Sequence, residues 1–137
     1  MGRQSLTLLL DTHVLLWWLD APGRLSSPQR QAIADARTGD ERLAIGAMTL
    51  WEIAKLVESR RLTFEEPIEL VLDRIERNPV LCVLPLDARV AVESTRLGDT
   101  MPKDPADRLI VATARVHRLR LVTADEHIRR SGTVAVI

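Results

Sequence analysis

Hydrophobic positions along this chain fall into short blocks that alternate between strand-like and helix-like spacing. Leu6–Leu10 is a short apolar run closed by Asp11, and it suits a buried strand. Val14–Leu19 follows at once and predicts a helix, ended by Ala21-Pro22-Gly23. Ser27-Pro28 opens a polar helix to about Arg37, with Ser27 as N-cap and Pro28 at the first helical position. Leu43–Ile45 predicts a second strand. Thr49–Arg61 predicts a helix with Ile53, Leu56 and Val57 on one face. Pro67–Arg77 predicts a helix, Val80–Leu84 a third strand and Asp87–Leu97 another helix. After a polar loop, Gly98–Lys103, the almost wholly apolar middle of Asp104–Arg118 predicts a helix packed on a sheet. Leu119–Val122 is a fourth strand, Asp125–Arg130 a short helix and Val134–Ile137 a last short strand. Strands alternating with helices imply a parallel sheet with right-handed crossovers. There is no internal repeat or interdomain linker, so residues 1–137 read as one domain.

Composition narrows the class. The 137 residues are 46% hydrophobic and 28% charged, as in globular proteins rather than disordered ones. A chain of this length buries roughly two-thirds of its unfolded surface and needs no disulfide or metal to hold a core. Nineteen basic and 19 acidic side chains give zero net charge, which argues against a polybasic nucleic-acid coat but leaves room for a local basic patch. Only Lys55 and Lys103 of the basic residues are lysine. The rest are arginine, which suits bidentate phosphate contacts and also a GC-rich coding bias. Aromatic residues are too few for a protein that binds single strands by base stacking. The lone Cys82 lies in an apolar run, so it reads as a small buried hydrophobe in a reducing compartment. Asp11 cuts the first apolar run short, and no segment approaches the ~18 residues of a membrane span. A soluble, cytoplasmic protein is expected.

In an open parallel sheet the working site lies beyond the carboxyl ends of the strands, and that rule sorts the acids. Asp11 closes the first strand. Glu52 follows the second, where Thr49-Leu50-Trp51-Glu52 also fits a capping box. Asp104-Pro105-Ala106-Asp107 opens the apolar helix, with Asp104 as N-cap and Asp107 favouring the positive helix end. Asp125 follows the fourth strand and suits an N-cap. Each acid alone has this local explanation. Together Asp11, Glu52, Asp107 and Asp125 converge on one sheet edge, where like charges repel unless some protonate or a cation joins them.

Oxygen-only ligands suit Mg²⁺ or Mn²⁺, and His13, Cys82, His117 and His127 have no zinc-like spacing. His13 and His117 read as packing or hydrogen-bonding residues. The acid cluster supports metal-assisted hydrolysis, and a phosphodiester is a fitting substrate because cations bridge the acids to an anion.

Four segments in order then resemble the PIN domain, the metal-dependent nuclease fold of VapC-type toxins. They are Leu8-Leu9-Leu10-Asp11-Thr12-His13 with Trp17-Trp18, Leu50-Trp51-Glu52-Ile53-Ala54, Asp104-Pro105-Ala106-Asp107-Arg108, and Leu121-Val122-Thr123-Ala124-Asp125. The resemblance spans nearly the whole chain. It implies an α/β three-layer fold with a five-stranded parallel sheet in order 3-2-1-4-5. It makes Asp11, Glu52, Asp107 and Asp125 the metal-binding and catalytic acids, and Thr123 a hydroxyl that positions a carboxylate or water. Asp104, Arg108 and Thr12 would sit at the rim, with Arg108 pairing with an acid or contacting phosphate. Either Asp104 or Asp107 could be the direct ligand. Lys55 stands one position earlier than that branch of the family places its lysine.

The implied activity is Mg²⁺-dependent endoribonuclease cleavage by a cytoplasmic toxin. The implied partners are RNA, a VapB-type antitoxin covering the pocket and a second copy in a homodimer. Trp17 and Trp18 are candidates for the antitoxin groove, and Arg24, Arg42 and Arg108 for a phosphate-binding ring. The rival readings are a housekeeping RNA-processing nuclease, a small-molecule phosphatase and a non-catalytic binding module. The phosphatase would want a second Asp where this chain has His13.

Overall fold

The computed structural model describes residues 5–137. The strands are β1 (Leu8–Leu10), β2 (Leu43–Gly46), β3 (Leu81–Leu84) and β4 (Arg120–Val122). The helices are α1 (Thr12–Asp20), α2 (Ser27–Thr38), α3 (Ala47–Glu58), α4 (Ile68–Arg77), α5 (Ala88–Ser94), α6 (Pro105–His117) and α7 (Glu126–Ser131). A single 3₁₀ turn, Pro22–Arg24, links α1 to α2.

The sheet is parallel throughout, in order β3-β2-β1-β4. The expected fifth strand is reduced to one parallel bridge, Val136 to Leu121. Its direction and neighbour match the expected place beside β4, but β4 is only three residues long and offers little ladder to extend.

Side chains that alternate along β1 explain the layers. Leu8 and Leu10 join a core with Val14 and Leu15 of α1, Ile33 of α2, Ile53 of α3 and Ile75 of α4. Leu9 points the other way, into a core with Ile110, Val111 and Ala114 of α6 and Ile128 of α7. Leu9 and Leu10 are fully buried, each contributing ~2–3 kcal/mol of burial. That anchoring fixes the register of β1, and with it the position of Asp11. Trp17 and Trp18 are half-buried and pack against the first core. Cys82 is half-buried in β3 and reduced.

Two helix starts differ from expectation. Ser26, not Ser27, caps α2, because Gln29 lies three residues beyond Ser26 and completes a reciprocal capping box. α3 begins at Ala47, because β2 runs on to Gly46 in register with Leu84 of β3. Thr49 therefore lies inside α3 rather than capping it, and Glu52 falls in the second turn. Among the described residues no helix is long and apolar enough to cross a membrane.

Candidate active site

Asp11 leaves the sheet as soon as β1 ends. Its backbone N–H still donates to Val122 O of β4 at 3.1 Å. Its side chain turns to cap α1, with Oδ1 accepting from Val14 N at 2.9 Å. Oδ2 accepts the Thr123 hydroxyl. One carboxylate therefore both caps α1 and meets Thr123 across the sheet edge. Burial raises the pKa of Asp11, opposed by the bonds from Thr123 and Val14 and by the nearby His13, and reinforced by Asp125.

Thr123 is fully buried at the end of β4. Besides donating to Asp11, its hydroxyl oxygen accepts from Asp125 N at 3.0 Å. Asp125 then caps α7, taking His127 N at 2.8 Å and Ile128 N at 3.2 Å on Oδ1. One hydroxyl thus ties the acids of β1 and α7 together.

Glu52 is held from a different direction. Oε1 accepts the Thr12 hydroxyl at 2.6 Å, and that hydroxyl lies 3.1 Å from the hydroxyl of Thr49. Thr12 and Thr49 are both buried. Burial raises the pKa of Glu52, opposed by the Thr12 bond and His13 and reinforced by Asp104 and Asp11.

Asp107 sits in the first turn of α6. Asp104 caps that helix, with Oδ1 accepting from Ala106 N at 2.9 Å and Asp107 N at 3.3 Å. No donor reaches the Asp107 carboxylate among the described residues. Its pKa is pushed up to about 7 by burial and then by the charges of Asp104, Asp125, Glu52 and Asp11. Asp104, Asp125, Glu52 and Asp11 therefore all act electrostatically on Asp107. Among the described residues, no three His, Cys, Asp or Glu side chains are close enough to form a ready ligand set. Hydroxyls already engage Asp11 and Glu52. The donors themselves are hard oxygens carrying an unrelieved excess of negative charge, which fits a hard divalent cation.

The arginines expected around the acids are elsewhere or engaged. Arg108 donates to the carbonyls of Gly98 at 3.1 Å and Met101 at 3.2 Å, so it pins the loop before α6 rather than pairing with an acid. Arg42 precedes β2, at the amino edge of the sheet, and bonds to the carbonyls of Pro79 and Leu81. Arg24 lies 4.8 Å from the ring centre of Trp17. Lys55 pairs with Glu58 at 2.7 Å, exposed on α3. His13 is exposed, with its ring 6.2 Å from that of Trp17.

Sequence patterns missed three parts of this site. Thr49 resembled a helix cap, so its buried contact with Thr12 gave no signal. Gln29 is buried and donates to the carbonyls of Thr123 at 3.1 Å and Ile137 at 3.3 Å. A glutamine in a polar helix carries no hint of that. Lys103, His127 and Arg130 line one cleft between the 98–104 loop and α7. They are scattered in sequence, but each lies within five residues of Asp104 or Asp125.

A parallel sheet with acids from β1, α3, α6 and α7 gathered beyond its carboxyl edge defines a class. The PIN domain family model matches residues 8–133, and the chain belongs to that family. Ribonuclease VapC22 of Mycobacterium tuberculosis (strain ATCC 25618 / H37Rv) is 38% identical over 123 residues, spanning 90% of each chain. Two solved structures share the fold. The DNA-bound VapBC of Salmonella typhimurium superposes with a TM-score of 0.70 at 19% identity, over 97% of this chain and 98% of that one. FitAcB of Neisseria gonorrhoeae gives 0.65 at 23% identity, over 96% of both chains.

Proposed function

We propose that this protein is a Mg²⁺- or Mn²⁺-dependent endoribonuclease, the cytoplasmic toxin of a VapBC-type toxin–antitoxin pair. The observation that carries the reading is the shared field of the acids, with Asp107 pushed up to about 7 by burial and four neighbouring carboxylates. The ribonuclease 38% identical over nine-tenths of the chain supports the substrate class. Asp11, Glu52, Asp107 and Asp125 would hold the cation, with Asp104 at the rim.

The chemistry a bound divalent cation supplies is polarisation of a phosphate oxygen and a lowered pKa for the attacking water. The chain's own residues set the geometry. Thr123 orients Asp11 through Oδ2, and Val14 N holds Oδ1. Thr12, backed by Thr49, aims Glu52. Without a cation, Asp107 is the acid most ready to hold a proton near neutral pH. Lys103 and Arg130, in the cleft between the 98–104 loop and α7, would supply positive charge for the phosphates flanking the scissile bond.

For the antitoxin, a cleft of about 560 Å³ between α1, the 62–66 loop and α4 offers an apolar seat. Leu16, Leu19, Phe64 and Val71 line it, and Leu19 is 43% exposed. One structural neighbour, from Klebsiella pneumoniae, is a toxin–antitoxin complex by name, which supports this partner.

The test is RNA cleavage by purified protein with Mg²⁺ or Mn²⁺. EDTA is expected to abolish it, and Asp11→Asn or Asp107→Asn to reduce it at least 100-fold. Undiminished cleavage by either variant, folded by circular dichroism, would sink the proposal.

A further inference from the structure

The acids repel an anionic substrate, and the arginines expected to offset them do not surround the site. A further concentration of positive charge lies elsewhere. A groove of about 560 Å³ between α5 and the end of α6 is lined by Arg89, Arg96, Arg115 and Arg118, with Glu93 as the acid among them. Its net charge is therefore strongly positive on a chain whose total is zero.

Only Arg115 is engaged by the protein, pairing with Glu93 at 3.6 Å and donating to Thr133 O at 3.2 Å. The guanidinium groups of Arg89, Arg96 and Arg118 are exposed and make no ion pair or hydrogen bond among the described residues. Arg118 caps α6 in the left-handed region at φ 57°, a conformation that glycine adopts at low cost.

We infer that this groove is an exosite for the sugar–phosphate backbone of RNA, which it grips ahead of the acids. The inference rests on the ribonuclease reading given above. Arginine forks match phosphate oxygens bidentately. The groove has valine and alanine between its arginines and no aromatic ring, so it has no platform for bases and reads backbone charge alone. α6 connects the two places: Asp107 is in its first turn and Arg115 eight residues on, ~12 Å along the axis. A strand of a few nucleotides spans that distance.

The test uses a 2′-O-methylated, uncleavable single-stranded RNA 12-mer in EDTA, titrated by fluorescence anisotropy at several salt concentrations. The variant is Arg89→Ala/Arg96→Ala/Arg118→Gly, all exposed positions, with glycine relieving the left-handed backbone. The affinity is expected to fall at least tenfold, and the log–log salt dependence to flatten by about 2, three contacts at ~0.7 each. The triple lysine variant restores the salt dependence. Equal affinity and slope in the wild type and the triple variant overturn the exosite. Displacement of the RNA by an equimolar glutamate decapeptide overturns it in favour of an acidic protein partner. A trinucleotide too short to reach the groove is expected to be cleaved equally by both proteins. If neither cleaves any RNA while binding still depends on the arginines, the nuclease reading fails and the exosite stands.

Discussion

The hydroxyl of Thr123 donates to Asp11 Oδ2, joining the carboxyl ends of β4 and β1. The same oxygen accepts from Asp125 N at 3.0 Å, so one small side chain orients two of the acids. Thr123→Val keeps the shape and removes both bonds, leaving a buried donor and a buried carboxylate oxygen short of partners. The expected cost is ~1–3 kcal/mol in urea denaturation, with cleavage lowered at least tenfold. Thr123→Ser is expected to recover most of both. If Thr123→Val cleaves RNA as fast as the wild type, Asp11 needs no such orientation.

The acid cluster sets the pH dependence of the metal-free protein. Asp107 titrates near 3.9 in an unfolded chain and is pushed up to about 7 in the folded one. Between those values the folded state holds the extra proton, so stability is full below about pH 4 and declines as pH rises through 7. Asp11 and Glu52 are shifted in the same direction and add to the trend. The site is partly open to solvent, so screening reduces the Asp107 contribution to ~1–2 kcal/mol. In EDTA, the wild type is expected to lose that much more stability than Asp107→Asn between pH 5 and pH 8. Parallel urea curves for the two proteins at both pH values would contradict this.

Cation binding is expected to reverse the trend. A cation at 100 times its Kd stabilises the folded state by ~2.7 kcal/mol. Protons compete for Asp107, so the rise in Tm with Mg²⁺ is larger at pH 8 than at pH 5. Asp107→Asn shrinks the rise at pH 8. A calorimetric scan shows both effects, and an equal rise at both pH values would mean that the cation does not use this carboxylate.

Much of the fold was legible because burial imposes a period. The uninterrupted leucines of β1 and the apolar middle of α6 announce a two-sided sheet and the helix that covers it. Acids placed just after strand ends announce the edge. The capping positions were less legible, since Ser26 and Ser27 both suit an N-cap and only the partner at Gln29 decides. Thr49 was read wrongly because Thr-x-x-Glu fits a cap locally, whereas strand pairing to Gly46 starts the helix two residues earlier. The arginine assignment failed for a tertiary reason. Arg108 follows Asp107 in sequence, but helix geometry turns its guanidinium to the 98–101 carbonyls. Arg89, Arg96, Arg115 and Arg118 meet only because α5 packs on α6.

Gln29 carries the last prediction. Its Nε2 donates to the carbonyls of Thr123 and Ile137, while its Oε1 accepts from Ser26 N at 3.1 Å. The amide therefore has a fixed orientation, with its donor end toward the strand that holds Thr123. Gln29→Leu removes these bonds at nearly constant volume. Both carbonyls keep another donor, Arg129 Nη2 at 3.0 Å for Thr123 O and Thr123 N at 3.3 Å for Ile137 O. The loss should therefore be limited to ~1–2 kcal/mol. Gln29→Glu is nearly the same shape but places an acceptor against two carbonyl oxygens. Its carboxyl would be held neutral by burial, so its folded pKa rises above the unfolded ~4.3. Stability is then kept at low pH and lost as pH rises through that folded value. At pH 8 Gln29→Glu is expected to be less stable than Gln29→Leu, and at pH 4 the order narrows or reverses. Urea denaturation of the two variants at both pH values measures the crossing. If Gln29→Glu matches the wild type at pH 8, the amide does not make these bonds in solution.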